Sequence, residues 1–405
     1  MRALRKIVSP RRMSTVGGHI AIASLAVAAW IASALSIQAA GRQVAIPPVQ
    51  GAEFLGAAAC NSSGCHGGAG EKRSQYITWT QQDFHSRAYA VLLNARSARM
   101  AETLRLGSAQ TSARCTVCHS PFQSTGPARL TKTARPDEGV SCESCHNAAA
   151  DWLRSHTRPD WNYAMRVTAG MRDLRSFYVR ANTCVACHQN LEPDVLAAGH
   201  PELRFELDGQ SVAEPKHWRD PPGTGANAWL VGQAVALREM SWALANSPDS
   251  HNPSVQKWNA LVWLLGWATE QQSSVPVLAA AATIPTRAVF IDTQQRADAI
   301  GRAAAQATLG EEFARSAWQR LAGLDSAFND SKETSETLFC RAERLVPALN
   351  RLAVAAGLDS DAAPRPETRA LLDSVQPGSA FDGNAFAKAL HTYRDTLVGA
   401  GQPAR

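Results

Sequence analysis

The alternation of apolar and polar residues divides the chain into stretches of different character. From Met13 to Gly41 no residue is charged, and the heart of this run, "IAIASLAVAAWIASALSI", is apolar throughout. From about residue 225 onward the apolar residues recur instead at helical spacing. "WLVGQAVALREMSWALA", "VQKWNALVWLLGWATEQ", "RADAIGRAAAQATLGEEFARSAWQRLAGL", "ETLFCRAERLVPALNRLAVAAGL" and "AFAKALHTYRDTLVGA" each read as amphipathic helix. Proline and glycine punctuate the gaps at "SVPVL", "TIPTR" and "SVQPGS". The pattern predicts a bundle of about five to seven helices over 225–405. Between these regions, "WTQQDFHSRAYAVLL" is a further helical stretch. The expected fold class is mainly α: a helix-and-loop domain over residues 50–222 with little strand, then an all-α bundle.

Charge alters the reading of the first stretch. Arg2, Arg5, Lys6, Arg11 and Arg12 precede the uncharged run and account for nearly all of the formal +6. A basic start followed by an apolar segment predicts an exported protein, with residues 1–41 either a cleaved signal peptide or an anchor in the inner membrane. The small residues Ala39 and Ala40 favour cleavage, although the run is about long enough to span a bilayer. No basic stripe remains to suggest nucleic acid. At 405 residues the chain can bury a full core and is expected to form more than one domain.

Nine cysteines are too few for a disulfide scaffold in a chain of this length, and eight of them lie between Cys60 and Cys187. They include "CTVCH" (Cys115, Cys118, His119), "CESCH" (Cys142, Cys145, His146) and "CVACH" (Cys184, Cys187, His188). C-x-x-C-H is the attachment signature of c-type haem. Two thiols add across the two vinyl groups of one porphyrin, and the histidine is held beneath the iron as its proximal ligand. Zinc does not require a histidine after each second cysteine, a thioredoxin-like motif would occur once, and disulfides give no reason for the recurrent histidine. The ninth cysteine, Cys340 in "CRAER", lacks both partners and reads as a buried free thiol. The cluster Trp258, Trp263 and Trp267 reads as packing.

"CNSSGCH" (Cys60, Cys65, His66) has two extra residues between its cysteines. Asn, Ser and Gly are turn formers that can loop out and return the second sulfur to vinyl distance. The stretch is read as a fourth haem site, the alternative being a Cys60–Cys65 disulfide. Of the eleven histidines, four belong to these motifs, His19 lies in the leader, and His251 and His391 lie far downstream. The remaining four, His85, His156, His200 and His217, match the motifs one to one and are the candidate distal ligands. Four haems c would supply much of the apolar core of this domain.

"EGVSCESCHNAAADWLRSHT" and "W…DFHSRAYAVL" resemble the core and the distal-histidine segment of the tetrahaem cytochromes c of the c-552/554 family, and "GHPELRFELD…PKHW" is similar to related multihaem cytochromes. The resemblance spans roughly residues 55 to 220. It implies ligation crossed along the chain: His85 with the site of His146, His156 with that of His66, and His200 or His217 with that of His188. The site of His119, which is open in the family's best-known member, would be closed by the fourth histidine. The expected function is electron transfer between redox partner proteins in the periplasm through bis-histidine haems. Haem propionates would make the holoprotein acidic, favouring partners with a basic face. Two alternatives stand beside it: an enzyme with one open iron acting on small nitrogen species such as nitric oxide, nitrite or hydroxylamine, and a membrane-anchored quinol dehydrogenase.

Overall fold

The computed structural model describes residues 51–247, 254–270, 275–278, 285–329, 332–360, 364–375 and 381–400; the leader expected over residues 1–41 lies outside them. Its helices are α1 Gln75–Gln82, α2 Ala88–Val91, α3 Ala95–Thr103, α4 Ala113–His119, α5 Cys142–His146, α6 Tyr163–Thr168, α7 Phe177–His188, α8 Pro193–Ala197 and α9 Leu207–Ala213. They continue with α10 Gly225–Ala245, α11 Ser254–Thr269, α12 Arg287–Gln306, α13 Glu311–Ala322, α14 Ser335–Ala355, α15 Pro366–Asp373 and α16 Gly383–Ala400. Among the described residues there is no strand, only one isolated parallel bridge between Phe54 and Leu130. The fold is mainly α, as the pattern predicts. The stretch expected as one helix over 296–324 is two, because the chain leaves the helix at Ala307 and re-enters after Gly310.

Helix α10 organises the C-terminal half. Its residues from Ala226 to Leu237 are buried on every side, which is how a helix that is apolar all round must sit. Around it pack α7, α9, α11, α12, α13 and α14. One cation lies in this apolar surface. Arg238 is buried, and its guanidinium donates to Asp298 at 2.9 Å, to the Tyr178 hydroxyl at 3.1 Å and to Asn182. A buried charge is tolerated only with such a full set of partners. Tyr178 and Asn182 belong to α7, so the charge that α10 has to satisfy also ties α7 to the bundle. Trp258 fills the same core and donates from Nε1 to Ser241 at 2.8 Å, whereas Trp267 is exposed at the surface. Cys340 is a buried free thiol on α14.

The main core runs across the boundary expected near residue 222. Phe177, Ala181 and Val185, spaced four apart on α7, join Phe205, Leu207 and the residues of α10 in one apolar cluster. The described residues from 51 onward accordingly form one compact unit. Pro347, inside α14, cannot donate to the Glu343 carbonyl; the Arg204 guanidinium donates to that oxygen at 3.3 Å instead, and its side chain also pairs with the Glu343 carboxylate. The segment 201–206, which leads from His200 to α9, is thereby fastened to the bundle without regular structure of its own.

Two consequences for stability follow. A Cβ on Gly232 would lie 2.8 Å from the Cβ of Leu207 and 2.9 Å from its backbone nitrogen, so α9 meets α10 where there is no side chain. Alanine is the better helix former, but Gly232→Ala is expected to lower unfolding stability by about 1–3 kcal/mol, because the clash is against backbone; chemical denaturation followed by tryptophan fluorescence checks it. Asp208 is buried, and burial, reinforced by Glu206 and partly offset by Arg351 and the nearby amides of Asp208 and Gly209, pushes its carboxyl up to about 7. Since the folded state holds this proton more tightly than the unfolded chain, the stabilising contribution is complete below about pH 4 and is lost as pH rises through 7. Asp208→Asn is therefore expected to flatten the fall in melting temperature between pH 5 and 8, and the variant should be the more stable protein at pH 8.

Candidate functional site

Three of the four cysteine motifs are helical. α4 ends on His119, α5 spans Cys142–His146 and α7 ends on His188, so each cysteine pair stands at i and i+3 with its histidine at i+4 on one turn. Cys60 ends a short 3-10 turn, Ala57–Cys60, and the longer stretch is not helical. Its extra residues close as a turn, with the Cys65 amide donating to the Ser62 carbonyl at 2.9 Å. The His66 amide then donates to the Cys60 carbonyl at 3.1 Å. This contact spans the motif from its histidine to its first cysteine, as the i to i−4 bond of an α-helix does in the shorter motifs. The insertion is looped out and the ends of the motif are kept together. All nine cysteines are free thiols, Cys60 and Cys65 included.

Sulfurs from different motifs meet. The Cys142 thiol is hydrogen-bonded to Cys60, which draws the Cys60 thiol down and pushes that of Cys142 up. Cys187 stands in the same relation to Cys118 and is pushed well up by it and by burial. Cys145 and Cys184 also feel each other; burial drives their thiols up to about 11 and about 12. The motifs thus follow one another through the fold in the order first, third, fourth, second.

The histidines fall into facing pairs. The rings of His66 and His156 are 6.1 Å apart and nearly parallel at 15°. Those of His188 and His85 are 5.9 Å apart at 88°, and those of His119 and His200 are 6.3 Å apart at 66°. His146 is partly buried and held down to about 4, first by desolvation and next by the neighbouring His217. The structure therefore sets His85 against His188, where the resemblance implied His146, and sets His200 against His119. Local fastening accounts for the difference. The His85 carbonyl accepts from the Val140 amide at 3.0 Å, and a Cβ on Gly139 (φ +75°) would lie 2.6 Å from that oxygen. Three residues on, the Ala88 carbonyl accepts from Nδ1 of His119 at 3.1 Å. The segment 85–88 is pinned across the second motif, which touches the fourth through Cys118 and Cys187.

Each of the four spare histidines has Nδ1 engaged by oxygen. His156 donates to Leu153, His200 to Pro201 at 2.7 Å and His217 to Pro215 at 3.5 Å, all backbone carbonyls. His85 faces the Asp83 carboxylate at 3.0 Å. His66 meets the Gln75 side-chain oxygen at 3.0 Å. An Nδ1 committed as donor leaves Nε2 with a free lone pair, the arrangement a metal-ligating imidazole needs. Burial lowers His119, His156, His188 and His217, which favours their neutral form. Burial also works against an ionised Asp83, but the ring and backbone N–H groups of His85 outweigh it and hold the carboxyl below its ordinary value. Asp83 raises His85 in turn.

Several supporting residues carry no sequence motif of their own. Glu143, between the cysteines of α5, is buried and accepts from the amides of Leu55 at 3.0 Å, Gly56 at 2.6 Å and Ala149 at 2.7 Å. The amide of Arg172 donates to the His146 carbonyl, and its guanidinium to those of Ser144 at 2.9 Å and Cys145 at 3.1 Å, placing a cation at the end of α5. Glu214 lies with Asp83 and His85. Asp83 alone had a legible signal, an aspartate opening a turn in "DFH".

These residues fit haem c. Two imidazoles bound on opposite faces of one metal, each through a bond of about 2 Å, bring their ring centres about 6 Å apart, the separation that three of the pairs already have. Each pair includes the histidine of a Cys-Cys-His motif, the donor set of covalent haem attachment. Residues 59–147 match the family model described as cytochrome c554 and c-prime. That match takes in the first three motifs and His85, and leaves the fourth motif and the other spare histidines beyond it. No curated protein matches the chain, and no solved structure does. The match over residues 59–147 supports a c-type cytochrome of the c554 family, a family that implies covalently bound haem c and suggests electron transfer.

Proposed function

We propose that the protein is an exported, periplasmic tetrahaem electron carrier in which every iron has two histidine ligands. Haem c, when bound, supplies one-electron exchange at its iron. The observation that carries the reading is the set of three facing histidine pairs at 6.1, 5.9 and 6.3 Å, each with at least one Nδ1 tied back to oxygen. On it, Cys60, Cys65, His66 and His156 hold the first group, and Cys115, Cys118, His119 and His200 the second. Cys184, Cys187, His188 and His85 hold the fourth. Cys142, Cys145 and His146 then take the third with His217, the spare histidine that the other three pairings leave. The nearness of His200 to His119 argues against an open second site, and so against the small-nitrogen enzyme. Export rests on the basic and apolar leader of residues 1–41. The C-terminal bundle serves as the scaffold that fixes α7, and the redox partners dock on the N-terminal half, where the motifs lie.

The mature protein is expected to carry four haems by mass and by pyridine haemochrome absorbance, and Cys65→Ser should leave the first held by a single thioether. Electron paramagnetic resonance of the oxidised protein should show low-spin iron only. The nearly parallel pair His66–His156 should give an ordinary rhombic signal and the perpendicular pair His85–His188 a highly anisotropic one. A high-spin component of about one haem in four would exclude the all-bis-histidine carrier.

A further inference from the structure

Seven of the eight candidate ligands meet only neutral hydrogen-bond partners among the described contacts, or none. His85 is the exception. Its Nδ1 faces Asp83 Oδ1 at 3.0 Å, and the same oxygen accepts the His85 backbone amide at 2.9 Å. The carboxylate is only 5% exposed, so water competes little for it. It is also fixed in place: the Asp83 amide donates to the Thr78 carbonyl at the end of α1, and the Ser86 hydroxyl donates to the Asp83 carbonyl at 2.8 Å. The corresponding acceptors for His156, His200 and His217 are carbonyls of the backbone, which carry no net charge. One axial histidine of the set is thus built differently from the rest.

We infer that Asp83 is a positioning and tuning residue for the haem held by Cys184, Cys187 and His188, and that it sets this haem's reduction potential below the value its other ligands alone would give. A buried carboxylate that accepts the Nδ1 proton gives the imidazole imidazolate character and makes Nε2 a stronger donor. A stronger donor stabilises the ferric over the ferrous state, so the one-electron equilibrium moves toward oxidised iron. The negative charge beside the site acts in the same direction. Backbone carbonyls at the other spare histidines polarise their rings far less, so the effect belongs to one haem. The inference rests on the proposed pairing of His85 with His188.

The test is a spectroelectrochemical titration of the haem-loaded protein and of Asp83→Asn, which keeps the shape and an acceptor oxygen but removes the charge. One midpoint in four is expected to rise by about 60 mV, the one-electron equivalent of a tenfold change in the equilibrium, while the other three hold. Four unchanged midpoints, or a common drift of all four, would overturn the inference. His85→Ala tests the pairing separately: one high-spin haem is expected, and a protein that remains wholly low-spin removes the pairing and the inference with it. High-spin iron in His85→Ala together with unmoved midpoints in Asp83→Asn would defeat the tuning role alone. Should Asp83→Asn fail to load, the unmodified protein still decides. Near-infrared magnetic circular dichroism must then show one of four charge-transfer bands displaced to higher energy, and four coincident bands overturn the inference.

Discussion

Two sulfurs and an imidazole must reach one side of a single short stretch of backbone, and the N-terminal half is organised by that demand. A helical turn meets it when the cysteines are three apart and the histidine follows, as at α4, α5 and the end of α7. When the spacing is longer, the bond from the His66 amide to the Cys60 carbonyl does the same work with a turn in place of a helix. Because each motif occupies so little chain, almost nothing local holds it in position. The support comes from elsewhere: Glu143 gathers three amides around α5, Arg172 closes its end, and Gly139 lets the chain pass against His85.

Helix α7 is where the two halves of the protein become one. Its apolar face belongs to the bundle core, its Tyr178 and Asn182 complete the shell around Arg238, and its C-terminal end carries Cys184, Cys187 and His188. A site on a packed helix is held more rigidly than one on a loop. That gives the large bundle a physical role without requiring chemistry of its own: the buried cation on α10 fixes the helix that presents the fourth motif.

The bundle was legible in the sequence because helical periodicity survives in a single chain. The segments around α10, α11, α14 and α16 stand where the apolar pattern puts them. The break between α12 and α13 was less visible, since alanine, threonine and leucine on both sides keep the pattern running up to Gly310. The cysteine motifs were legible for a different reason: covalent chemistry fixes their spacing. The identity of the four spare histidines followed from counting. Their partners did not, because which imidazole faces which motif depends on contacts between distant segments, such as the Ala88 carbonyl at His119 or the Val140 amide at the His85 carbonyl. Asp83 is an ordinary turn-opening residue until its neighbour's ring is seen to lie against it.

The meeting of Cys60 with Cys142, and of Cys118 with Cys187, bears on how such a chain matures. In an oxidising compartment, thiols from different stretches that lie this close are prone to couple to each other. Each mismatched bridge would remove one attachment point from two separate motifs at once. A sulfur bound to a porphyrin is not available for such a bridge, so attachment and mispairing compete for the same thiols.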